Sequence, residues 1–322
     1  MKKKVLVTGG AGFIGSNLSK KLLDTNHIVY CLDNLSVGTL QNIKGCLENN
    51  NFSFIKGDVR DERVVKNLII KSDIVFHLAA VVGVSIVVNN PLENISVNIE
   101  GTRNIAYTAQ KYRKKVVFAS SSEVYGKNSQ IPLNEDTSPS IFGPTNVTLW
   151  AYGLSKSISE HLLLGLSEKG LPISIVRYFN CYGPNGTNNS YTNVVPKFIK
   201  QAIDNNPITV YGDGKQTRCF CYVDDTVRGT LLAAENESNG IYNIGSNKEI
   251  TINKLAALIR NVTSSKSPII HIPEYNVFKR RFESSPRRVP DIRKSKRILH
   301  FSSKIDLKEG LLKTVSWMKA NT

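Results

Sequence analysis

Short apolar runs alternate with longer stretches in which apolar residues recur at helical spacing. Six apolar runs predict buried strands, at residues 5–7, 27–32, 52–59, 72–80, 115–119 and 173–180. Between them, the stretches that begin at residue 17, span 94–112 and begin at residue 150 predict helices. Because strand and helix keep alternating, we predict an α/β fold with a doubly wound parallel sheet that carries helices on both faces.

The pattern changes after residue 180. Residues 185–193 are rich in asparagine, glycine and serine and predict a surface loop. The helices and strands predicted beyond it lie at 194–203, 208–214, 241–245, 252–262 and 307–319. We therefore expect one domain over 1–180 and a smaller α/β domain over most of 181–322, with a strand and helix near 220–262 returning to the first domain.

A glycine-rich turn connects the first predicted strand to the first helix. Gly10, Gly12 and Gly15 have the spacing G-x-G-x-x-G, which in this strand–turn–helix context is typical of a dinucleotide site. Such glycines let a pyrophosphate approach the helix N-terminus, where N–H groups and the helix dipole favour anions. The alternative is a glycine-rich turn that binds nothing. The residues predicted to bind the cofactor here are Gly9, Gly12, Phe13, Ile14 and Gly15.

An acidic residue ends the second predicted strand. Asp33 follows Gly15 by 18 residues (33 − 15). A carboxylate at this place would accept the adenosine ribose hydroxyls and repel a 2′-phosphate, which favours NAD over NADP. The polar loop that follows, with Asn34, Ser36 and Gly38, suits the same ribose.

The third and fourth predicted strands end where doubly wound sheets bind ligands. Asp58 is predicted to accept a hydrogen bond from the adenine amino group, and the alternative is that it caps the helix beginning near Asp61. Small residues after the fourth strand would let the cofactor lie close to the backbone. His77, inside that apolar run, is predicted to be a core histidine rather than a catalytic one. The contacts predicted at these two strand ends are Asp58, Val59, Leu78, Ala79 and Ala80.

Five residues are candidates for catalysis. Ser121, Ser122 and Glu123 follow the fifth strand and are predicted to face a ligand, with a serine-rich turn as the alternative. Tyr152 and Lys156, four residues apart on the next helix, share one face. A lysine ammonium and a nicotinamide cation would both lower the pKa of Tyr152. Tyr152 would then accept a proton from a sugar hydroxyl.

Composition and charge exclude several classes of protein. The 322 residues include 42 basic and 26 acidic side chains, a net charge of +16, but no nucleic-acid motif. An anionic small substrate and a solvated basic surface explain this excess better than nucleic-acid binding. The five scattered cysteines predict reduced thiols and no metal site. No apolar run approaches the ~20 residues that cross a bilayer, so we expect a cytoplasmic protein without membrane contact.

Taken together, these residues resemble the extended short-chain dehydrogenase/reductase family with its Rossmann sheet, in the nucleotide-sugar branch. The resemblance runs from about Val5 to Trp317 and includes the glycine turn, Asp33 and the Tyr152/Lys156 pair. It implies NAD as cofactor, a UDP-sugar as substrate, and a homodimer formed by the helices that start near Asn94 and Tyr152. It also implies that Tyr152 is the base and Lys156 its partner, and that both residues bind the cofactor. The substrate-binding residues that it implies are Ser121, Asn180, Val195, Tyr211, Arg218 and Arg288.

The residues beside Ser121 bear on which reaction follows oxidation of the sugar at C4. Ser121-Ser122-Glu123 resembles the Thr-Ser-Glu of UDP-glucuronate decarboxylases, whose β-keto acid would lose CO2 easily. Arg288 would then meet the sugar carboxylate. A 4-epimerase, which residues 177–180 resemble more, and a nucleotide-sugar dehydratase stay open as alternatives. A non-catalytic NAD-binding protein, typically without the Tyr/Lys pair, is the alternative from another class.

Overall fold

The computed structural model describes residues 2–186, 194–273, 283 and 285–321. Its strands, in chain order, are β1 (Lys4–Thr8), β2 (Ile28–Asp33), β3 (Phe52–Lys56), β4 (Ile74–His77), β5 (Lys115–Ser121), β6 (Ile173–Tyr178), β7 (Cys181–Tyr182), β8 (Ile208–Tyr211), β9 (Thr217–Cys219), β10 (Cys221–Tyr222), β11 (Gly240–Ile244), β12 (Glu249–Thr251), β13 (Ile269–Ile272) and β14 (Arg287–Arg288). Its helices are α1 (Phe13–Asp24), α2 (Leu40–Leu47), α3 (Glu62–Lys71), α4 (Val84–Asn89), α5 (Pro91–Ile95), α6 (Gly101–Lys111), α7 (Trp150–Ser167), α8 (Val194–Ile203), α9 (Val223–Glu235), α10 (Ile252–Val262), α11 (Arg293–Ile298) and α12 (Leu307–Ala320). Residues 187–193 of the predicted surface loop lie outside the described residues.

Seven strands form one sheet in the order β3-β2-β1-β4-β5-β6-β11. Every neighbouring pair in this sheet is parallel. The strand order reverses between β1 and β4, and ligands of such sheets bind in the crevice at that point. The predicted α/β class with a doubly wound parallel sheet is confirmed.

The sheet is buried on both faces, which explains why its strands are almost continuously apolar. On β1, Val5 and Val7 pack into the core on one face and Leu6 packs into the core on the other, and all three are at most 1% exposed. Helices α1 and α9 contribute to the first core. Helices α3, α6 and α7 contribute to the second.

Several strands end earlier than predicted. β3 ends at Lys56, β4 at His77 and β6 at Tyr178. Residues 57–59 and 78–80 are therefore loops at the carboxyl edge of the sheet rather than parts of strands. Val59, Leu78, Ala79 and Ala80 in these loops line a cavity at that edge.

The helix predicted over 94–112 is confirmed, but it is not a regular α-helix because it contains a π turn. The chain forms α5, then a π-helical segment over Ser96–Glu100, and then α6. The wider turn carries Asn98, whose side chain accepts a hydrogen bond from the Val81 amide (2.9 Å) and donates one to the Ser155 hydroxyl (3.0 Å). Such single π turns occur frequently at functional sites, and polar contacts to two neighbours accompany this one.

The chain after residue 180 adds three small sheets. β7 pairs with β10, β8 pairs with β13, and β9 lies between β12 and β14. The pairing of β9 with β14 sets Arg218 opposite Arg288. One later strand, β11, joins the main sheet beside β6. Over the described ranges, every helix is too short or too polar to span a bilayer.

Candidate active site

The turn between β1 and α1 leaves no room for side chains. Gly9 has a φ of +67°, and a Cβ added to it would lie 2.7 Å from the Ala79 amide nitrogen. A Cβ on Gly15 would lie 2.1 Å from the Gly9 carbonyl oxygen. Gly12 is the N-cap of α1 and makes no side-chain cap bond. The first N–H groups of α1 therefore face the crevice without a side-chain cap, as an anion site requires.

Asp33 is fixed by the backbone of this turn. Its Oδ2 accepts a hydrogen bond from the Ala11 amide (3.0 Å), and its Oδ1 accepts one from the Leu35 amide (2.8 Å). Burial raises the pKa of Asp33, while backbone N–H groups, including that of Gly12, oppose the rise. The carboxylate is 8% exposed and lines the crevice beside Asn34.

Asp58 lies next to the crevice and makes an internal network. It accepts a hydrogen bond from Asn34 Nδ2 (3.1 Å) and forms an ion pair with Arg60 (2.8 Å). These hydrogen bonds, above all those of Arg60, lower the pKa of Asp58 to about 2, so the group is ionised. The alternative that Asp58 caps α3 is wrong, because Asp61 is the N-cap and accepts hydrogen bonds from Arg63 and Val64 amides.

A cavity of about 360 Å³ runs along the carboxyl edge of the main sheet. It joins the glycine turn, Asp33 and the serine segment after β5, and its volume is within the range of small-molecule sites. The predicted site residues that line it are Gly9, Gly12, Phe13, Ile14, Gly15, Asp33, Asn34, Ser36, Gly38, Val59, Leu78, Ala79, Ala80, Ser121, Ser122, Glu123, Tyr152, Lys156 and Asn180. Asp58, Val195, Tyr211, Arg218 and Arg288 lie outside this lining.

Tyr152 and Lys156 meet the end of β5. The Lys156 ammonium donates a hydrogen bond to the Ala119 carbonyl (2.7 Å) and lies 6.0 Å from the centre of the Tyr152 ring. Burial lowers the pKa of Lys156 to about 7, although the charge of Glu160 opposes this. Burial raises the pKa of Tyr152, while hydrogen bonding by Ser121 lowers it. Without a further cation, the phenol is therefore a proton donor rather than a base.

Glu123 contacts Arg288 across 165 residues of sequence. The Arg288 side chain is 4% exposed. The Glu123 side chain lines the cavity and is 35% exposed. Burial would raise the pKa of Glu123, but the adjacent Arg288 guanidinium outweighs it and holds the pKa below its ordinary value. Among the described residues, the buried Nε of Arg288 has no hydrogen-bond partner. An anion that reached this guanidinium would find a donor ready for it.

The other residues expected to bind substrate are spread over the second half of the chain. Asn180 lines the cavity and donates from Nδ2 to the Cys219 carbonyl (3.0 Å). Arg218 lies beside Arg288 through the β9–β14 pairing. Val195 is buried on α8, and the Lys197 ammonium lies 3.6 Å from the centre of the Tyr211 ring. Their roles towards a substrate stay predictions.

His77 does not line the cavity. Its two ring nitrogens lie 2.8 Å from the Thr8 hydroxyl and 3.0 Å from the Thr102 hydroxyl. Burial lowers its pKa to about 3, with a smaller contribution from Lys156. The prediction of a satisfied core histidine is confirmed.

Sequence reasoning missed several polar residues at the site. Ser120 lines the cavity, as do Tyr178 and Cys181, and Ser120 hydrogen-bonds Glu160 (2.5 Å). Asn98 reaches Ser155 from the π-helical segment. Ser120 stood within the serine run and could have been found there. Asn98 had no signal, because its position depends on a helical irregularity that the apolar pattern does not record.

Comparisons with known proteins agree with this geometry. The model of the NAD dependent epimerase/dehydratase family matches residues 5–245. The chain is 42% identical over 320 residues to UDP-N-acetyl-alpha-D-glucosaminuronate decarboxylase of Bacillus cytotoxicus, which covers 99% of this chain and 98% of that protein. It is 34% identical over 319 residues to UDP-glucuronic acid decarboxylase 1 of Danio rerio, covering 98% of this chain and 72% of that protein.

A solved structure shares the whole fold. The UDP-N-acetylglucosamine 4-epimerase of Methanobrevibacter ruminantium M1, solved with UDP-N-acetylmuramic acid, has a TM-score of 0.91 to this chain. The two are 33% identical, and the match covers 100% of each chain. With the glycine turn, Asp33 and the Tyr152/Lys156 pair at one cavity, and with a family model over most of the sequence, this chain is an enzyme of the NAD-dependent epimerase/dehydratase family, and its cofactor is NAD.

Proposed function

We propose that this enzyme decarboxylates a UDP-hexuronic acid through a 4-keto sugar, as a UDP-glucuronate decarboxylase does. The observation that carries the proposal is the contact between Glu123 and Arg288 next to Ser121 and Tyr152. A guanidinium can hold the substrate carboxylate, and a neighbouring carboxyl group can deliver a proton to carbon. The decarboxylase names of the Bacillus cytotoxicus and Danio rerio relatives support the same reaction.

The residues of the crevice fit NAD. The glycine turn leaves the start of α1 without a side-chain cap, and Asp33 lines the same cavity. Gly12 and Phe13 would hold the pyrophosphate and Asp33 the adenosine ribose. When bound, NAD supplies the site with a hydride acceptor that later returns the hydride.

Tyr152 and Ser121 act at C4 of the sugar. Ser121 holds the O4 atom, and Tyr152 accepts the hydroxyl proton as the C4–H bond breaks and a ketone forms. In a hexuronic acid this ketone is β to the C6 carboxylate. The C5–C6 bond then breaks, its electron pair forms an enolate over C4 and C5, and CO2 leaves. Glu123 protonates C5, and Tyr152 returns its proton to O4 as C4 is reduced.

The Arg288 contact determines when Glu123 carries a proton. In the free protein Arg288 keeps the pKa of Glu123 low, so the carboxylate is ionised. A substrate carboxylate that binds Arg288 would take over this contact. The burial of Glu123 would then raise its pKa, so that Glu123 gains a proton only with substrate in place.

The reaction is tested by nuclear magnetic resonance of the protein incubated separately with UDP-N-acetylglucosaminuronate and UDP-glucuronate. We expect a UDP-linked pentose, with or without an acetamido group, and release of CO2. A product that keeps C6 but is inverted at C4 would identify a 4-epimerase, the second candidate, which the similarity to the solved 4-epimerase supports. If neither compound changes, the hexuronic-acid proposal is wrong.

We expect Asp33→Asn to weaken NAD binding about tenfold and to reduce the preference for NAD over NADP. The substitution removes a charged acceptor for the ribose hydroxyls and the charge that repels a 2′-phosphate. Calorimetric titration with each dinucleotide measures both effects. Asp24→Asn, at the exposed end of α1, is the matched control and should bind as the wild type does. Equal preference ratios in Asp33→Asn and wild type would contradict the assignment.

We also infer a homodimer built from α5, α6 and α7. Leu92 and Ile95 on α5, Tyr107 on α6 and Ile158 on α7 are 79%, 42%, 50% and 50% exposed. α7 packs against both α5 and α6, so these apolar side chains lie on one assembly of helices. Apolar surface of this kind marks an interaction site.

We expect Ile158→Asp to convert the dimer into a monomer, because a carboxylate in an apolar interface loses its hydration without gaining a partner. Sedimentation velocity measures the change. Leu312→Asp, on the exposed face of α12 and 45% exposed in the native chain, is the matched control and should stay dimeric. A monomeric wild type, or an Ile158→Asp variant that sediments as a dimer, would overturn the inference.

A reducing compartment suits the thiols. All five cysteines are free, and four of them are buried. Buried, unpaired thiols are usual where disulfides do not form. We therefore infer that the enzyme acts in the cytoplasm.

A further inference from the structure

Three consecutive residues at the end of β5 meet three successive turns of α7. The Ala119 carbonyl accepts from Lys156, and the Ser120 hydroxyl hydrogen-bonds Glu160 at 2.5 Å. Ser121 is close enough to Tyr152 for its hydrogen bonding to lower the pKa of that phenol. Tyr152, Lys156 and Glu160 are spaced four residues apart, so they occupy one face of the helix. The end of β5 therefore contacts Tyr152, Lys156 and Glu160 along one face of α7.

Glu160 is a buried carboxylate with a dedicated partner. Arg177 on β6 donates to it from Nε (3.0 Å) and from Nη2 (2.6 Å), a bidentate pair in which the two side chains are 10% and 5% exposed. The Arg177 guanidinium also lies 4.8 Å from the centre of the Tyr125 ring. Removing one partner of such a buried pair would leave an uncompensated charge. The mechanism described above makes no use of it.

We propose that Glu160, paired with Arg177 and fixed by Ser120, is a positioning residue whose negative charge holds Lys156 as an ammonium ion beside Tyr152. The proposal rests on the proposed function only in taking Tyr152 as the base. It holds equally for decarboxylation, epimerisation or dehydration, because all three begin with the same proton transfer.

Among the groups around Lys156, Glu160 is the one whose negative charge can stabilise the ammonium form. On its own helix Lys156 faces Tyr152 and Glu160, and on the strands around it lie His77, Arg177 and Tyr178. His77 is neutral, Tyr178 is a phenol whose pKa burial raises, and Arg177 is a cation. Glu123, the other carboxylate of the site, acts on the pKa of Tyr152 rather than on that of Lys156. Glu160 is therefore the anion that opposes the effect of burial on Lys156.

The direction of the effect on pH dependence follows. The ammonium form of Lys156 is needed to lower the pKa of Tyr152, so activity falls as pH rises through the pKa of Lys156. Loss of the Glu160 charge lowers the pKa of Lys156 further. The alkaline limb of the activity profile then moves to lower pH, and the pKa of Tyr152 rises.

The test is an ultraviolet titration of tyrosinate in the NAD-loaded protein, with the signal of Tyr152→Phe subtracted. For Glu160→Gln we expect the pKa of Tyr152 to rise by about one unit and turnover above neutral pH to fall about tenfold. Glu168→Gln, at the exposed end of α7, is the matched control and should titrate as the wild type does. Arg177→Lys keeps the cation, so Glu160 stays ionised and the pKa of Tyr152 should change little.

The double variant Glu160→Gln/Arg177→Met covers the case in which the single variant does not fold. It replaces a buried ion pair by a neutral pair, which proteins often tolerate. It should also raise the pKa of Tyr152, but less than Glu160→Gln, where an unpaired Arg177 adds repulsion. A lower melting temperature with an unchanged Tyr152 titration would overturn the proposal and leave Glu160 a structural role. The titration needs no sugar nucleotide, so it is independent of the substrate. A wild-type titration that Tyr152→Phe does not alter would instead refute Tyr152 as the base.

Discussion

Replacing Tyr152 with phenylalanine is expected to lower kcat about a thousandfold and to leave NAD binding nearly unchanged. The variant removes the phenolic oxygen of Tyr152, which lies near Ser121 at the end of β5. Without that phenol the C4 hydroxyl proton loses its proposed acceptor. Because proton loss from O4 and hydride loss from C4 occur together, the whole reaction stops at its first step. Product formation measured at saturating substrate checks the result.

Tyr112→Phe is the matched control for this experiment. Tyr112 is the C-cap of α6, is partly buried and lies outside the cavity lining, so the same chemical change there should leave kcat close to that of the wild type. A Tyr152→Phe enzyme that kept its activity within a few-fold would exclude Tyr152 as the base.

Glu123→Gln is expected to lower the rate of decarboxylated product formation about a hundredfold while changing KM little. Glutamine keeps the size of the side chain and an oxygen atom for Arg288, so substrate binding survives. It cannot deliver a proton to C5, so the enolate left by loss of CO2 accumulates and is recovered after quenching as a 4-keto pentose. Rapid-quench mass spectrometry of the nucleotide sugars detects that species.

The neighbouring residue on β14 provides the control for the Glu123 experiment. Arg287 pairs with Glu249 at 2.7 Å, a similar ion pair whose arginine is 55% exposed and which lies outside the cavity lining. Glu249→Gln should therefore leave the product and its rate unchanged. Arg288→Met should act differently from Glu123→Gln and raise KM, because it removes the group that holds the carboxylate. Normal decarboxylation by Glu123→Gln would exclude Glu123 as the proton donor.

The sequence predicted the parts of the site that are local in the chain. The step from β1 through the glycines to α1 and on to Asp33 spans about thirty residues, and each piece has a pattern of its own. Tyr152 and Lys156 were found for the same reason, since a spacing of four places them on one helical face. The cavity is lined by Gly9, Gly12, Gly15, Asp33, Tyr152 and Lys156.

Pairings between distant parts of the chain could not be predicted. Glu123 and Arg288 were each singled out, but their contact depends on long-range pairings, of β14 with β9 and of Pro290 with Leu133. The Glu160–Arg177 pair needs β6 beside β5, a neighbour relation that no local pattern encodes. The π turn at Asn98 was not predicted for another reason. The apolar spacing over 94–112 continues through this turn, so the pattern does not record it.

The contact between β5 and α7 separates two kinds of evolutionary change. Residues 119–121 contact Lys156, Glu160 and Tyr152 on the helix, and these contacts hold in place the proton transfer that we propose as the first step. Ser122 and Glu123 follow these three residues in the chain and lie in the short 3-10 turn Ser122–Tyr125. Substitutions there can alter the fate of the keto sugar without moving Tyr152 or Lys156. One scaffold can thus acquire a new reaction by changing two side chains, while the step that it shares with its relatives is left intact.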